Sequence, residues 1–133
     1  MIGLVNTLRL PISILCLAIP LVGASDQNKS KIKMYDKIPR MKEELKRHIF
    51  VGAKIEEVSR MMQANGFKCR LMEQSDFVEE DDNGTVLNRF HGDYLYCDKG
   101  KNGFICTRRW QIAIISANGS VSDILVSVGR ICP

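Results

Sequence analysis

Four cysteines, Cys69, Cys97, Cys106 and Cys132, lie in the second half of a 133-residue chain. Any fold of that half must bring them together in pairs or hold them as thiols. An even number of cysteines in a small domain reads as two disulfides where the compartment is oxidising. A zinc site is the alternative, but there is no C-x-x-C pair, and His48 and His91 lack ligand spacing. No metal and no cofactor are therefore expected.

The N-terminus supplies the compartment. Residues 1–24, MIGLVNTLRLPISILCLAIPLVGA, carry one charge, Arg9, ahead of an apolar run that ends in Val22-Gly23-Ala24. This is the layout of a secretory signal peptide, cleaved after Ala24. The run from Leu10 to Ala24 is interrupted by Pro11 and Pro20, and a membrane span needs about 20 apolar residues. Cys16 follows Ile14-Leu15 rather than small residues, which argues against lipidation there. Removing the signal takes away one arginine and leaves 18 basic and 15 acidic residues, a net charge of +3. That is too weak for a nucleic-acid domain. The chain is expected to be periplasmic or secreted and monomeric. It divides into a signal at 1–24, a mobile polar tail at 25–35 and one domain at 36–133.

Within the domain the hydrophobic period changes from about four to two. Ile38, Met41, Leu45 and Ile49 mark one helical face in residues 36–50, with Asp36 as cap and Pro39 in the first turn. Ile55, Val58, Met61 and Met62 mark a second helix over 54–65, ended by Gly66. Phe67, Cys69 and Leu71 then alternate with Lys68 and Arg70 as a short strand. Residues 75–84, SDFVEEDDNG, read as a solvated loop or hairpin tip. Tyr94–Cys97, Phe104–Ser116 and residues 121–128 are the later strands. The predicted fold class is α+β: two N-terminal helices packed on one face of a small antiparallel sheet, in the order α-α-β-β-β.

Register follows from the turns. Trp110, Ile112 and Ile114 share parity with Ile124, Val126 and Val128. A three-residue turn with Gly119 left-handed puts Ile112 opposite Ile124 and Trp110 opposite Val126. A six-residue turn at DKGKNG puts Cys97 opposite Cys106, and Cys69 pairs with Cys132 by elimination. Arg108 falls on the core face in this register.

On the other face lie Tyr94, Tyr96, Arg109 and Gln111, with Tyr94 opposite Arg109. If the helices cover one face only, these four form an open surface for a partner, since Tyr and Arg dominate binding hot spots. No G-x-S-x-G, H-E-x-x-H, phosphate loop or dinucleotide fingerprint occurs, so no enzyme is expected. An alternative role is a structural envelope protein resting on an anionic membrane surface through Lys42, Lys46 and Arg47.

The stretch Gly52-Ala-Lys-Ile-Glu-Glu-Val58-Ser-Arg-Met61-Met62, followed by Gly66, is similar to the helix-start motif of BamE/SmpA-like small envelope proteins. The resemblance covers roughly residues 36–130. It implies two helices followed by a three-stranded meander, an architecture shared with beta-lactamase-inhibitor-like domains. It also implies a non-enzymatic role in binding another envelope or secreted protein, including as an inhibitor or immunity protein. The chain departs from the family pattern in having no lipid-acceptor cysteine, in Lys54 where a Ser or Thr cap is usual, and in its four cysteines.

Overall fold

The computed structural model describes residues 31–103 and 105–132. The predicted signal and residues 25–30 of the predicted tail lie outside them. In chain order come α1 (Ile38–His48), α2 (Ile55–Ala64), β1 (Lys68–Glu80), β2 (Val86–Asn102), β3 (Thr107–Ala117) and β4 (Ser120–Ile131). The strands form one antiparallel sheet in the order β1-β2-β3-β4. This corrects the three-stranded meander: the helices are short, and strands dominate.

The helices obey the predicted spacing. Ile38, Met41 and Leu45 of α1 and Ile55, Val58 and Met62 of α2 are buried. Each helix begins on a lysine, Lys37 or Lys54, that makes no side-chain cap. Asp36, expected to cap α1, instead lies 3.0 Å from Arg108. Glu56 and Glu57 in the first turn of α2, and Lys46, Arg47 and His48 in the last turn of α1, suit the helix dipoles. The ordered chain starts before residue 36. Ile32 is buried in the core, its N–H donates to Asn65 Oδ1 at 2.8 Å, and the carbonyl of Tyr35 accepts from Trp110 Nε1 at 2.9 Å. Residues 31–35 are thus a packed strap and not part of a mobile tail.

The core sits between the helices and one sheet face. Leu95 and Cys97 of β2, Trp110, Ile112 and Ile114 of β3, and Ile124, Val126 and Val128 of β4 meet the helices there, with Ile32 and Phe67. Parity was predicted correctly, but register was not. Ile112 faces Val126 and Trp110 faces Val128, two residues from expectation. Asn118 and Gly119, both at positive φ, make a two-residue turn between Ala117 and Ser120. The even-to-even pairing is restored by an extra residue, Ser122, at the register shift beside Ile115.

Between β2 and β3 the displacement is six residues. The segment read as a turn is strand as far as Asn102, which faces Thr107, and the chain reverses where Gly103 N–H donates to the Cys106 carbonyl at 2.9 Å. Cys97 therefore faces Ile112, and cannot meet Cys106. The disulfides are Cys69–Cys97, directly opposed across β1 and β2, and Cys106–Cys132, joining the β2–β3 turn to the end of β4. Both expected pairings are corrected, while all four cysteines are bridged.

The opposite face is open only in part. Phe77, Tyr94, Ala113, Ile115 and Leu125 form a second buried cluster there, joined by Met72, Phe90 and Tyr96. The β1–β2 hairpin bends at Gln74 (φ 46) and Gly92, where the β1 register shifts between Met72 and Ser75. A Cβ at Gly92 would approach the Phe90 ring to 2.7 Å, so only glycine lets that ring lie over the strand. Beyond the bend the hairpin reaches β4: Ser127 Oγ donates to the Glu80 carbonyl at 3.1 Å, and Val126 N–H donates to Glu79 Oε2 at 2.8 Å. Residues 75–80, read as loop, are the strand that makes this cover.

The edge of β4 is occupied at its start and in its middle. At its start, Gly52 N–H donates to the Val121 carbonyl and Val121 N–H to that of Ala53. Midway, Glu79 takes the N–H of Val126 and also meets Lys42 Nζ at 3.0 Å and Asn88 Nδ2 at 2.6 Å. An uncovered edge strand invites pairing with other chains; here the interhelix linker and one buried carboxylate cover the edge as far as Val126.

Candidate functional site

The four residues expected to bind a partner divide into one buried and three accessible. Tyr94 is 3% exposed, and it faces Ile115 rather than Arg109. Its hydroxyl donates to the Asp76 carbonyl at 2.8 Å, and its ring meets the edges or faces of Phe77 and Phe90 at 5.7 and 6.0 Å. Burial, with Asp76 and Tyr96 nearby, pushes its phenol above the ordinary range. Tyr94 is a core residue of the second cluster. This corrects its expected place on an open surface: alternation gives its face but not the hairpin that covers it.

Tyr96, Arg109 and Gln111 are half-buried on the same face, nearer the disulfide end. Gln111 Nε2 donates to Tyr96 Oη at 2.8 Å. Arg109 Nη2 donates to Asp98 Oδ2 at 3.3 Å. The Arg70 guanidinium lies over the Tyr96 ring, 5.4 Å from its centre. Register explains the grouping, since Arg70 is opposite Tyr96 and Asp98 is opposite Gln111. Arg70 and Asp98 were missed; the alternation of Cys69 with Arg70 held the signal for the first. The result is a strip across three strands, each member held by a neighbour, with Cys97 of the buried disulfide between Tyr96 and Asp98.

Chemistry of other kinds finds few parts. All four cysteines of the described residues are bridged, so none offers a thiolate beside His48 or His91. Among the described residues no group of three or more His, Cys, Asp or Glu could hold a metal ion. His91 pairs with Asp76 at 2.7 Å on the exposed surface. Of the α1 cations named for a membrane role, Lys42 is engaged by Glu79 and Arg47 lies 3.8 Å from Glu44. No helix among the described residues is long and apolar enough to cross a membrane.

Glu44 ties the strap to α1. Its buried carboxylate accepts from Lys33 N–H at 3.0 Å, with His48 Nε2 3.1 Å from the same oxygen. The Lys33 bond, helped by His48 and Arg47 against the cost of burial, holds its carboxyl below the ordinary value of 4.5. A lowered folded pKa contributes stability that is complete above the unfolded value and is lost as pH falls through the folded one. Protection of the Lys33 amide, its exchange rate set against that of an unstructured peptide at the same pH, should therefore be high at neutral pH and fall as pH drops below about 4.5. Glu44→Gln should remove that acid dependence; a variant that keeps it would assign the dependence elsewhere.

Compared with known proteins, the chain matches no family model, and no curated protein or solved structure shows significant similarity to it.

Proposed function

We propose that this chain is an exported, non-enzymatic binding module, periplasmic or secreted, that engages a protein partner through the strip of Arg70, Tyr96, Asp98, Arg109 and Gln111. The observation that carries the reading is the mutual fixing of those side chains on strands of a disulfide-bridged sheet. Tyr and Arg are the residue types that concentrate binding energy. Side chains already held in place lose little further freedom on association, so more of the contact energy appears as affinity.

Export is supported by the signal-like residues 1–24 and by two disulfides, which fit an oxidising compartment. The similarity of residues 52–66 to BamE/SmpA-like envelope proteins points to the same kind of role. A small rigid module of this sort is suited to act as an inhibitor or immunity protein.

Affinity capture from the exported fraction, under oxidising conditions, tests the reading. The double variant Tyr96→Ala/Arg109→Ala should bind the captured partner roughly 100-fold more weakly, as expected for two hot-spot residues. Because Tyr96 packs against the second buried cluster, some fall in thermal midpoint is expected; Tyr96→Phe/Arg109→Lys, which keeps the ring and the charge, should stay near the parent midpoint and still bind at least tenfold more weakly. Full affinity in a folded double variant would remove the strip as the binding surface.

A further inference from the structure

We infer a second recognition site, on the helix-facing side of the sheet: a basic cleft that takes an acidic segment of a partner protein. The cleft has a volume of about 1010 Å³ and lies between the strap and the ends of β2, β3 and β4. Lys33, Lys99, Lys101, Arg108 and Arg130 line it, against one acid, Asp36. It is separate from the Tyr96 strip, and deepens the protein-binding reading by giving the partner a chemistry.

Three of these cations stand in a row. Lys101 is directly opposite Arg108 across β2 and β3, and Arg108 is directly opposite Arg130 across β3 and β4. Like charges in such positions repel and weaken a sheet. Neither Lys101 nor Arg130 takes part in an ion pair among the described residues, and both are exposed. Lys99 is held differently, donating to the Asn65 carbonyl at 2.8 Å. The sequence puzzle of Arg108 on the core face is thereby resolved: it lies past the helices, at the cleft, and not beneath them.

Asp36 shows what the row accepts. This exposed carboxylate lies 3.0 Å from Arg108 Nη1, an atom that is itself buried and makes no aligned hydrogen bond. Arg108 thus already holds one carboxylate, and the exposed Lys101 and Arg130 on either side of it are the cations left for a further one. Met34, Tyr35 and Trp110 supply apolar lining beside the cations. Carboxylates on a peptide bring apolar stems and neighbours to such a lining, whereas a polysulfated glycan brings a strongly hydrated chain. The geometry therefore favours the acidic peptide.

Trp110, the single tryptophan of the chain, lines the cleft but is only 3% exposed, so occupancy is read by calorimetry. The probe is a capped peptide with four glutamates at alternate positions, added to the full chain with its disulfides intact. A saturable heat of binding is expected, with affinity weakening at least tenfold between about 50 and about 300 mM salt. Lys101→Glu/Arg130→Glu should weaken binding by about tenfold or more while leaving the thermal midpoint unchanged or higher, because repulsion in the row is relieved. Should the reversal lower the midpoint, Lys101→Gln/Arg130→Gln serves instead, with the same loss of binding expected. Absence of a saturable heat, or binding untouched by the folded variants, overturns the site. Tighter binding of a heparin-derived oligosaccharide or of inorganic phosphate than of the peptide overturns the acidic-protein assignment. None of these results bears on the Tyr96 strip, whose test uses different residues.

Discussion

Glu79→Ala should lower the unfolding free energy by about 3 kcal/mol, the range for removing one partner of a buried, hydrogen-bonded charge pair. The carboxylate is buried and meets three groups at once: Lys42 of α1, Asn88 of β2 and the backbone N–H of Val126 on β4. Truncation leaves the ammonium and two N–H donors without that partner. It also uncovers the middle of the β4 edge, so the variant should self-associate more readily as well. Glu79→Gln keeps an acceptor and loses the charge; roughly half the effect is expected. Urea denaturation measures both. A loss under about 0.5 kcal/mol for Glu79→Ala would mean that this carboxylate does not close the seam between the hairpin and β4.

Removing the Cys106–Cys132 bridge with a pair of serines should cost about 3 kcal/mol. The two residues are 26 apart, and chain-entropy reasoning for a loop of that size gives this magnitude. The effect should centre on the β2–β3 turn and the end of β4, which the bridge joins, and on the basic cleft, which Cys106 lines. Cys69→Ser/Cys97→Ser should cost as much or more, because Cys97 is fully buried in the core. Peptide mapping without reduction distinguishes the pairings. Fragments joining Cys69 to Cys97 and Cys106 to Cys132 are expected; a fragment joining Cys97 to Cys106 would contradict the β2–β3 register. Alkylating label taken up before reduction at Cys69, Cys97, Cys106 or Cys132 would contradict the bridges altogether.

These effects come from features the sequence shows unevenly. Helices are legible because Met41 and Leu45, or Val58 and Met62, recur at the spacing of one buried face. Face assignment is legible too, since parity alone puts Trp110, Ile112 and Val126 together. Register is not, because it depends on where strands stop. Lys99–Asn102 contains glycine and polar residues and looks like a turn, yet pairs with β3 as far as Thr107. Acidic residues concealed the hairpin in the same way. Glu79 reads as solvated, but three specific partners allow it to be buried, and those partners lie 37, 9 and 47 residues away.

The candidate surface followed the same division. Tyr96, Arg109 and Gln111 were placed on the right face by alternation. Tyr94 reads as solvent-facing because its cover depends on β1, where the bend at Gln74, 20 residues away and opposite Gly92, brings Phe77 over its ring beside Phe90. The basic cleft is not legible in the sequence for a complementary reason. Lys101, Arg108 and Arg130 are scattered cations until the true register sets them in one row, and Asp36 looks like a helix cap until Arg108 is seen beside it.

The central claim is that the Tyr96 strip is where a protein partner sits. A photo-crosslinking phenylalanine analogue at position 96, introduced into the exported chain and irradiated in the producing cells, tests it most directly. The side chain is close in shape to tyrosine and half-buried there, so the fold should tolerate it. One discrete protein adduct is predicted, absent when the same analogue is placed at the exposed Lys68 and lost when Arg109→Ala is added. Crosslinking at Lys68 but not at position 96, or no adduct from a folded and exported chain, would contradict the account.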